Sequence, residues 1–274
     1  MRRFVIFGLL LALMVSVAQA APNKFDFFSA DSLADVGRRI RPLIEAETGR
    51  KYKVFPPIMP CTEQQMRTIL AEELLPQLRL ESKYAAKADS VAKETAAAMA
   101  PHILGKYTMK LHQVLVVPSN YETMLDVFVL QGSIDPRQLM RVVLTHELVH
   151  AQDQELYGIV GHVAKLKNPN QVKIWNALIE GHAQSVTRRV FAHLGQLKLF
   201  QDFCDRVQPP VPPGAPKEAV AYYHSLSFAY VDGMKFFDAL HKAGTRGDEA
   251  GYIFSHPPTS IDQIEHPETY HLPK

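Results

Sequence analysis

Cysteine is scarce in this 274-residue chain, with only Cys61 and Cys204, and there is one tryptophan, Trp175. So few thiols exclude a short disulfide scaffold, and a 47% hydrophobic content excludes a disordered or collagenous chain. An even count permits one disulfide between the two if the chain matures in an oxidising compartment, and the sequence does not show that they meet. An excess of either charge is also missing: 30 Lys and Arg stand against 28 Asp and Glu, and losing Arg2 and Arg3 would make them equal. A chain so balanced has no global field that would draw it to nucleic acid or to an anionic lipid surface, and neither is expected as a partner.

Long apolar runs are absent after the first twenty residues. Arg2 and Arg3, the apolar stretch from Phe4 to Val17, and Ala18-Gln19-Ala20 together form a signal-peptide pattern, with cleavage expected after Ala20. The stretch is too short for a membrane span of about 20 residues, so no stable membrane insertion is expected after cleavage. The mature protein is expected to be exported, periplasmic or secreted.

Helical signals dominate the rest of the chain. Leu33, Val36, Ile40 and Ile44 are spaced as one helix face from Asp31 to Glu47, with Asp31 as the expected N-cap. Thr62-x-x-Gln65 opens a run to Leu80 with the pattern of a capping box, and the Ala-rich stretch from Ser82 to Leu104 comes next as a second helix. The β-branched stretch 111–118 reads as a strand, and 124–130 as a weaker strand or short helix. Asp135-Pro136 opens a helix to about Tyr157, and Val172 to His193 carries apolar residues three and four apart. The proline-rich segment 207–216 reads as an extended loop, 217–242 as a helix, and the tail as irregular. The fold class expected is α+β, predominantly α-helical, with a small sheet. The organisation expected is a signal peptide over 1–20, an N-terminal helical region over 21–110 and a metal-binding region over 111–274, the last two forming one compact domain.

The chemistry concentrates at His146-Glu147-Leu148-Val149-His150. Four residues apart on a helix, the two imidazoles project from one face and can reach one Zn²⁺, while Glu147, about 100° round the helix, is free to take a proton from water. A third ligand is needed for a catalytic zinc site. The segment Ala151-Gln152-Asp153-Gln154-Glu155 lacks the His-x-x-Gly-x-x-His continuation of metzincins, so this ligand must lie farther downstream. Glu180 and His182 are the candidates. The small residues around Glu180, with Gly181 removing a side chain where the metal helix would approach, favour Glu180, whereas His182 falls on the stripe of Trp175, Ile179 and Val186.

These residues resemble the gluzincin zinc metallopeptidases, which pair His-Glu-x-x-His with a glutamate on a later helix. More narrowly they resemble a family of exported bacterial proteins through His146 to Gln154, Glu180-Gly181-x-Ala183, Tyr230-x-x-Gly233-x-x-Phe236 and the segment from Pro257 to Tyr270, a likeness spanning roughly 140–270. The resemblance implies a zincin-like domain with the metal between two helices, one Zn²⁺ per chain held by His146, His150 and Glu180, and Glu147 as the base. The function it implies is hydrolysis of a peptide or protein substrate. The alternatives are a zinc-stabilised binding protein of the cell envelope or a hydrolase of a non-peptide amide. Many gluzincins carry an acidic residue four positions after the third ligand, but Gln184 stands there, which leaves Asp153 as a candidate to support a ligand. A donor to the developing oxyanion is also needed, and His266, His256 and Tyr230 are the candidates. Arg188 or Arg189 could hold a substrate carboxylate or Glu180.

Overall fold

The computed structural model describes residues 26–80, 84–127, 134–207, 220, 224–243 and 248–271. The signal-like segment 1–20 and most of the proline-rich stretch 207–216 lie outside the described residues. The class is as expected: predominantly helical, with one three-stranded sheet. No described helix is long and apolar enough to cross a membrane. The chain divides into two compact units, one holding Arg38–Phe55 and the residues from Thr145 onward, the other the residues up to Gly37 and Pro56–Leu144.

Local signals explain most helix starts. Helix α1 (Ala30–Thr48) begins one residue before the expected cap, because the Ser29 hydroxyl, not Asp31, accepts from the Ser32 amide at 3.3 Å. Helix α2 (Glu63–Leu80) carries the expected capping box. The Thr62 amide donates to Gln65 Oε1 at 2.8 Å, and the Gln65 amide donates to Thr62 Oγ1 at 3.1 Å. Helix α3 (Ala88–Met99) is shorter than its Ala-rich stretch, which ends in a 3-10 turn at Pro101.

In the unit holding residues 56–144, Met66, Leu70, Leu74 and Leu78 of α2 meet Ala88, Ala92, Ala96 and Met99 of α3. Each stripe repeats every three or four residues, so small alanines receive large neighbours along the whole contact. Strand β1 (Ile58–Pro60) runs parallel to β3 (Gln113–Val116), and β2 (Gly105–Thr108) pairs antiparallel to β3, giving the order β1-β3-β2. The sequence shows only β3. Pro118 ends that strand and opens helix α4 (Pro118–Val127), where the 124–130 stretch begins, so its described part is helical.

Helix α5 (Pro136–Tyr157) starts as expected, with Asp135 Oδ1 accepting from the Arg137 amide at 2.8 Å. It stops at Gly158, whose φ of +61° is the left-handed geometry that glycine adopts without penalty. After the short α6 (Ile159–Val163), helix α7 (Pro169–His193) is capped by Asn168. Helix α8 (Leu197–Val207), which the periodicity leaves unassigned, comes next. A π-helical segment (Phe228–Asp232) leads into α9 (Gly233–Lys242), and the tail forms the short helices α10 (Glu249–Ser255) and α11 (Asp262–Glu265) where irregular structure is expected. The core of this unit gathers Trp175, Leu178, Phe228, Phe236, Phe237, Ile253 and Phe254.

Cys61 and Cys204, whose pairing the sequence leaves open, are both free thiols. Cys61 is buried in the core between α2, α3 and the sheet, and burial raises its pKa to about 11. Cys204 accepts a weak bond from Gln184 Nε2 at 3.9 Å.

Candidate metal centre

The α5 spacing brings the two histidine Nε2 atoms to within 2.9 Å of each other, with their rings nearly perpendicular. Glu180, on α7, sends Oε2 to 3.1 Å from His146 Nε2 and 3.4 Å from His150 Nε2. A tetrahedral ion with bonds of about 2.0–2.1 Å needs donor atoms about 3.3 Å apart. The observed triangle of 2.9, 3.1 and 3.4 Å therefore fits a single ion, and these three residues can hold one. All three side chains are mostly buried, which limits competition from water.

The electrostatics point the same way. Burial alone would disfavour a charged imidazole at His150, but the charge and hydrogen bond of Glu180 outweigh it and raise its pKa to about 9. Burial likewise pushes Glu180 up, yet the charge of His150 and the hydrogen bonds of both histidines hold it well below the usual carboxylate range. An arrangement that stabilises a shared proton this strongly also stabilises a metal cation at the same point.

The helix carrying Glu180 is positioned by glycine. A Cβ on Gly181 would lie 2.3 Å from the carbonyl carbon of Gly233, and one on Gly233 would lie 2.2 Å from the Ala177 carbonyl oxygen. Helices α7 and α9 thus cross backbone to backbone. Gly181 makes room for the Gly233 backbone, not for the metal helix as the sequence suggests.

That crossing sets the neighbouring π-helical turn over the site. Tyr230, in the middle of the turn, stacks its ring near His146, with centroids 6.0 Å apart and planes 21° off parallel. Such a turn carries one residue more per hydrogen-bonded loop than an α-helix, which rotates the side chains beyond it. No periodicity argument from sequence detects it.

Glu147 is half-buried and close enough that its charge contributes to the field at His150. The two C-terminal histidines are placed differently. His256 is exposed, stacks on Tyr252 at 4.4 Å and shares its Nδ1 with Ser255 Oγ. His266 is 58% exposed and faces Asp262 and Glu268. Among the described residues neither bonds to, or makes a ring contact with, His146, His150 or Glu180. Of the three expected oxyanion donors, Tyr230 alone has a ring contact with a member of the metal cluster.

The fold resembles a known structure. It is similar to that of a candidate hydrolase with a novel fold from Chloroflexus aurantiacus, at 16% identity and a TM-score of 0.61 over 91% of each chain. No family model and no curated protein sequence matches the chain.

His182 is occupied elsewhere. Its Nδ1–H donates to Asp153 Oδ2 at 2.8 Å, with both side chains buried, and its ring packs against Phe237 and Phe254. Gln184 faces Cys204. Arg188 pairs with Asp238 at 2.8 Å and Arg189 with Glu47 at 3.2 Å, so neither holds Glu180. The sequence reading misses Asp238, which binds Arg188 and accepts from Ser185 Oγ at 2.6 Å, tying α9 to α7. A lone aspartate on an amphipathic helix carries no signal of such a role.

Proposed function

We propose that this protein is an exported zinc-dependent hydrolase of the gluzincin kind that cleaves peptide bonds. The reading is carried by the convergence of His146 Nε2, His150 Nε2 and Glu180 Oε2 on one point, with Glu147 next to the first of them in the chain. Two imidazoles and one carboxylate are the donor set of catalytic zinc sites, which keep a fourth position for water or substrate, whereas structural sites are closed by four protein ligands. The description of the Chloroflexus protein as a candidate hydrolase agrees at the coarser level. Export rests on the Arg2-Arg3, apolar and Ala18-Gln19-Ala20 sequence.

When bound, zinc supplies Lewis-acid chemistry, acidifying water and polarising a carbonyl oxygen. Glu147 takes the proton of the attacking water and delivers it to the leaving amine nitrogen. Tyr230 donates its hydroxyl proton in a hydrogen bond to the carbonyl oxygen as negative charge builds there. The mostly buried surroundings of the histidines keep bulk water from competing with these interactions.

The test is Glu147→Gln in the purified, zinc-loaded protein, assayed on fluorogenic peptides. Zinc content should match the parent, and kcat/KM should fall on the order of 10²- to 10⁴-fold, the usual contribution of general acid–base catalysis. Undiminished hydrolysis in this variant would remove the mechanism. A zinc-loaded parent that cleaves no peptide or other amide would turn the reading to a zinc-stabilised binding protein. The Tyr230→Phe variant is expected to lose on the order of 10²- to 10³-fold in kcat with little change in KM, because its bond forms only as the oxyanion develops. An unchanged kcat would take Tyr230 out of the reaction.

A further inference from the structure

Three buried polar side-chain atoms on α5 lack a hydrogen-bond partner among the described residues, and two of them have complementary chemistries. These two are His150 Nδ1 and Asp153 Oδ1. The first belongs to the ring whose Nε2 faces the metal cluster, so with a metal on Nε2 the neutral imidazole carries its proton on Nδ1 and is a donor. The second belongs to a carboxylate that is 2% exposed and engaged on one oxygen only, by His182. A buried carboxylate oxygen left without a donor is costly, and so is a buried N–H left without an acceptor.

The residues are three apart on one helix, on the same face. The Asp153 charge acts at Tyr52 and Tyr157 and, as the smallest contribution there, at His150. Both tyrosines are already committed: the Tyr52 hydroxyl donates to the Leu148 carbonyl at 2.8 Å, and the Tyr157 hydroxyl to Asp248 Oδ1 at 2.8 Å. The neighbouring unpartnered atom Gln152 Oε1 is itself an acceptor. Neither tyrosine hydroxyl is therefore free for Asp153 Oδ1, whereas the His150 Nδ1–H is.

We infer that Asp153 is a positioning residue for the metal centre: its Oδ1 accepts from His150 Nδ1–H through one ordered water, while its Oδ2 holds His182. The bond fixes the His150 tautomer and ring plane and makes Nε2 a stronger donor to the metal. The task of the acidic residue that Gln184 replaces thereby falls to the metal helix itself. The inference rests on the zinc-site reading of the proposed function, but not on the identity of the substrate.

The experiment compares zinc affinity of the parent, Asp153→Asn and His182→Gln by competition with a chromophoric chelator. Proton spectra of the cobalt-substituted proteins are recorded alongside, because there the N–H protons of ligating rings appear as strongly shifted, exchangeable signals. Asp153→Asn should bind zinc roughly 10- to 100-fold more weakly and lose one of these signals by fast exchange with water. His182→Gln keeps the carboxylate, so it should stay within about threefold of the parent and retain both signals. Equal weakening in the two variants would make the pair a helix clamp only, and an Asp153→Asn protein with parental affinity and both signals would overturn the role outright. If Asp153→Asn does not fold, exchange in the cobalt-substituted parent decides, since a bonded His150 Nδ1–H exchanges slowly with water and the absence of any slowly exchanging ring N–H signal would overturn the inference. A parent that takes up no zinc would instead defeat the metal reading itself, a result distinct from all of these.

Discussion

Glu180→Ala is expected to abolish metal retention, and the parallel His182→Ala variant to preserve it. Elemental analysis after dialysis against a weak chelator should find about one zinc per chain in the parent and in His182→Ala, and close to none in Glu180→Ala or His146→Ala. Removing Glu180 takes away the carboxylate that stands 3.1 and 3.4 Å from the two imidazoles, leaving a two-ligand site. His182 lies only two residues along, but its ring faces Asp153, Phe237 and Phe254. The cost of its removal should appear as stability. Removing the ring leaves the buried Asp153 Oδ2 without its hydrogen-bond donor, which costs about 1–3 kcal/mol. Metal removal should also lower the melting temperature of the parent but not of Glu180→Ala. A ligand present at 1,000 times its dissociation constant stabilises the folded state by about 4.1 kcal/mol. Zinc retained in Glu180→Ala and lost in His182→Ala would reverse the ligand assignment.

Gly181→Ala and Gly233→Ala form the second large effect. Each adds one methyl where the nearest atoms are main chain, at 2.3 and 2.2 Å, so no side-chain rotation relieves the clash and the two helices must separate. Overpacking usually costs 1–3 kcal/mol, and a main-chain obstruction should reach at least about 3 kcal/mol. In a chain of this size that lowers the melting temperature on the order of 10 °C. Separation of α7 from α9 also moves Glu180 and the Tyr230 turn relative to each other, so metal affinity and activity should fall with stability. Calorimetry on both variants checks the first part, and a melting temperature within about 2 °C of the parent would show that the crossing is not tight. Ala183, on the same helix and fully buried, is a useful control for ordinary core packing.

The residues that were legible in sequence are those whose partners are close in the chain. His146, Glu147 and His150 needed only the helical repeat, and the Thr62 and Asp135 caps only the preference of side-chain oxygens for free amides. Whether the two cysteines bridge was not legible, because an even count permits a bridge but does not place the thiols, and both are free. Strand β1 is three residues long and finds its partner more than fifty residues away in β3, so no local pattern announces it. Strand β2 was hidden at the end of an Ala-rich run, where propensity favours helix but Pro101 stops it.

The sequence by itself determined the helical class and the histidine pair with Glu147 beside it, because spacing along one helix fixes the direction of each side chain before any tertiary contact forms. The tertiary structure put Glu180 rather than His182 beside the histidine pair, brought Tyr230 beside His146 and gave His256 and His266 other surroundings. Those outcomes depend on how α7 and α9 dock, which is settled by two glycines fifty-two residues apart whose backbones touch. Such a contact is a property of the packed core, where close approach over the whole interface selects one face of each helix, and no single residue carries it in the linear chain.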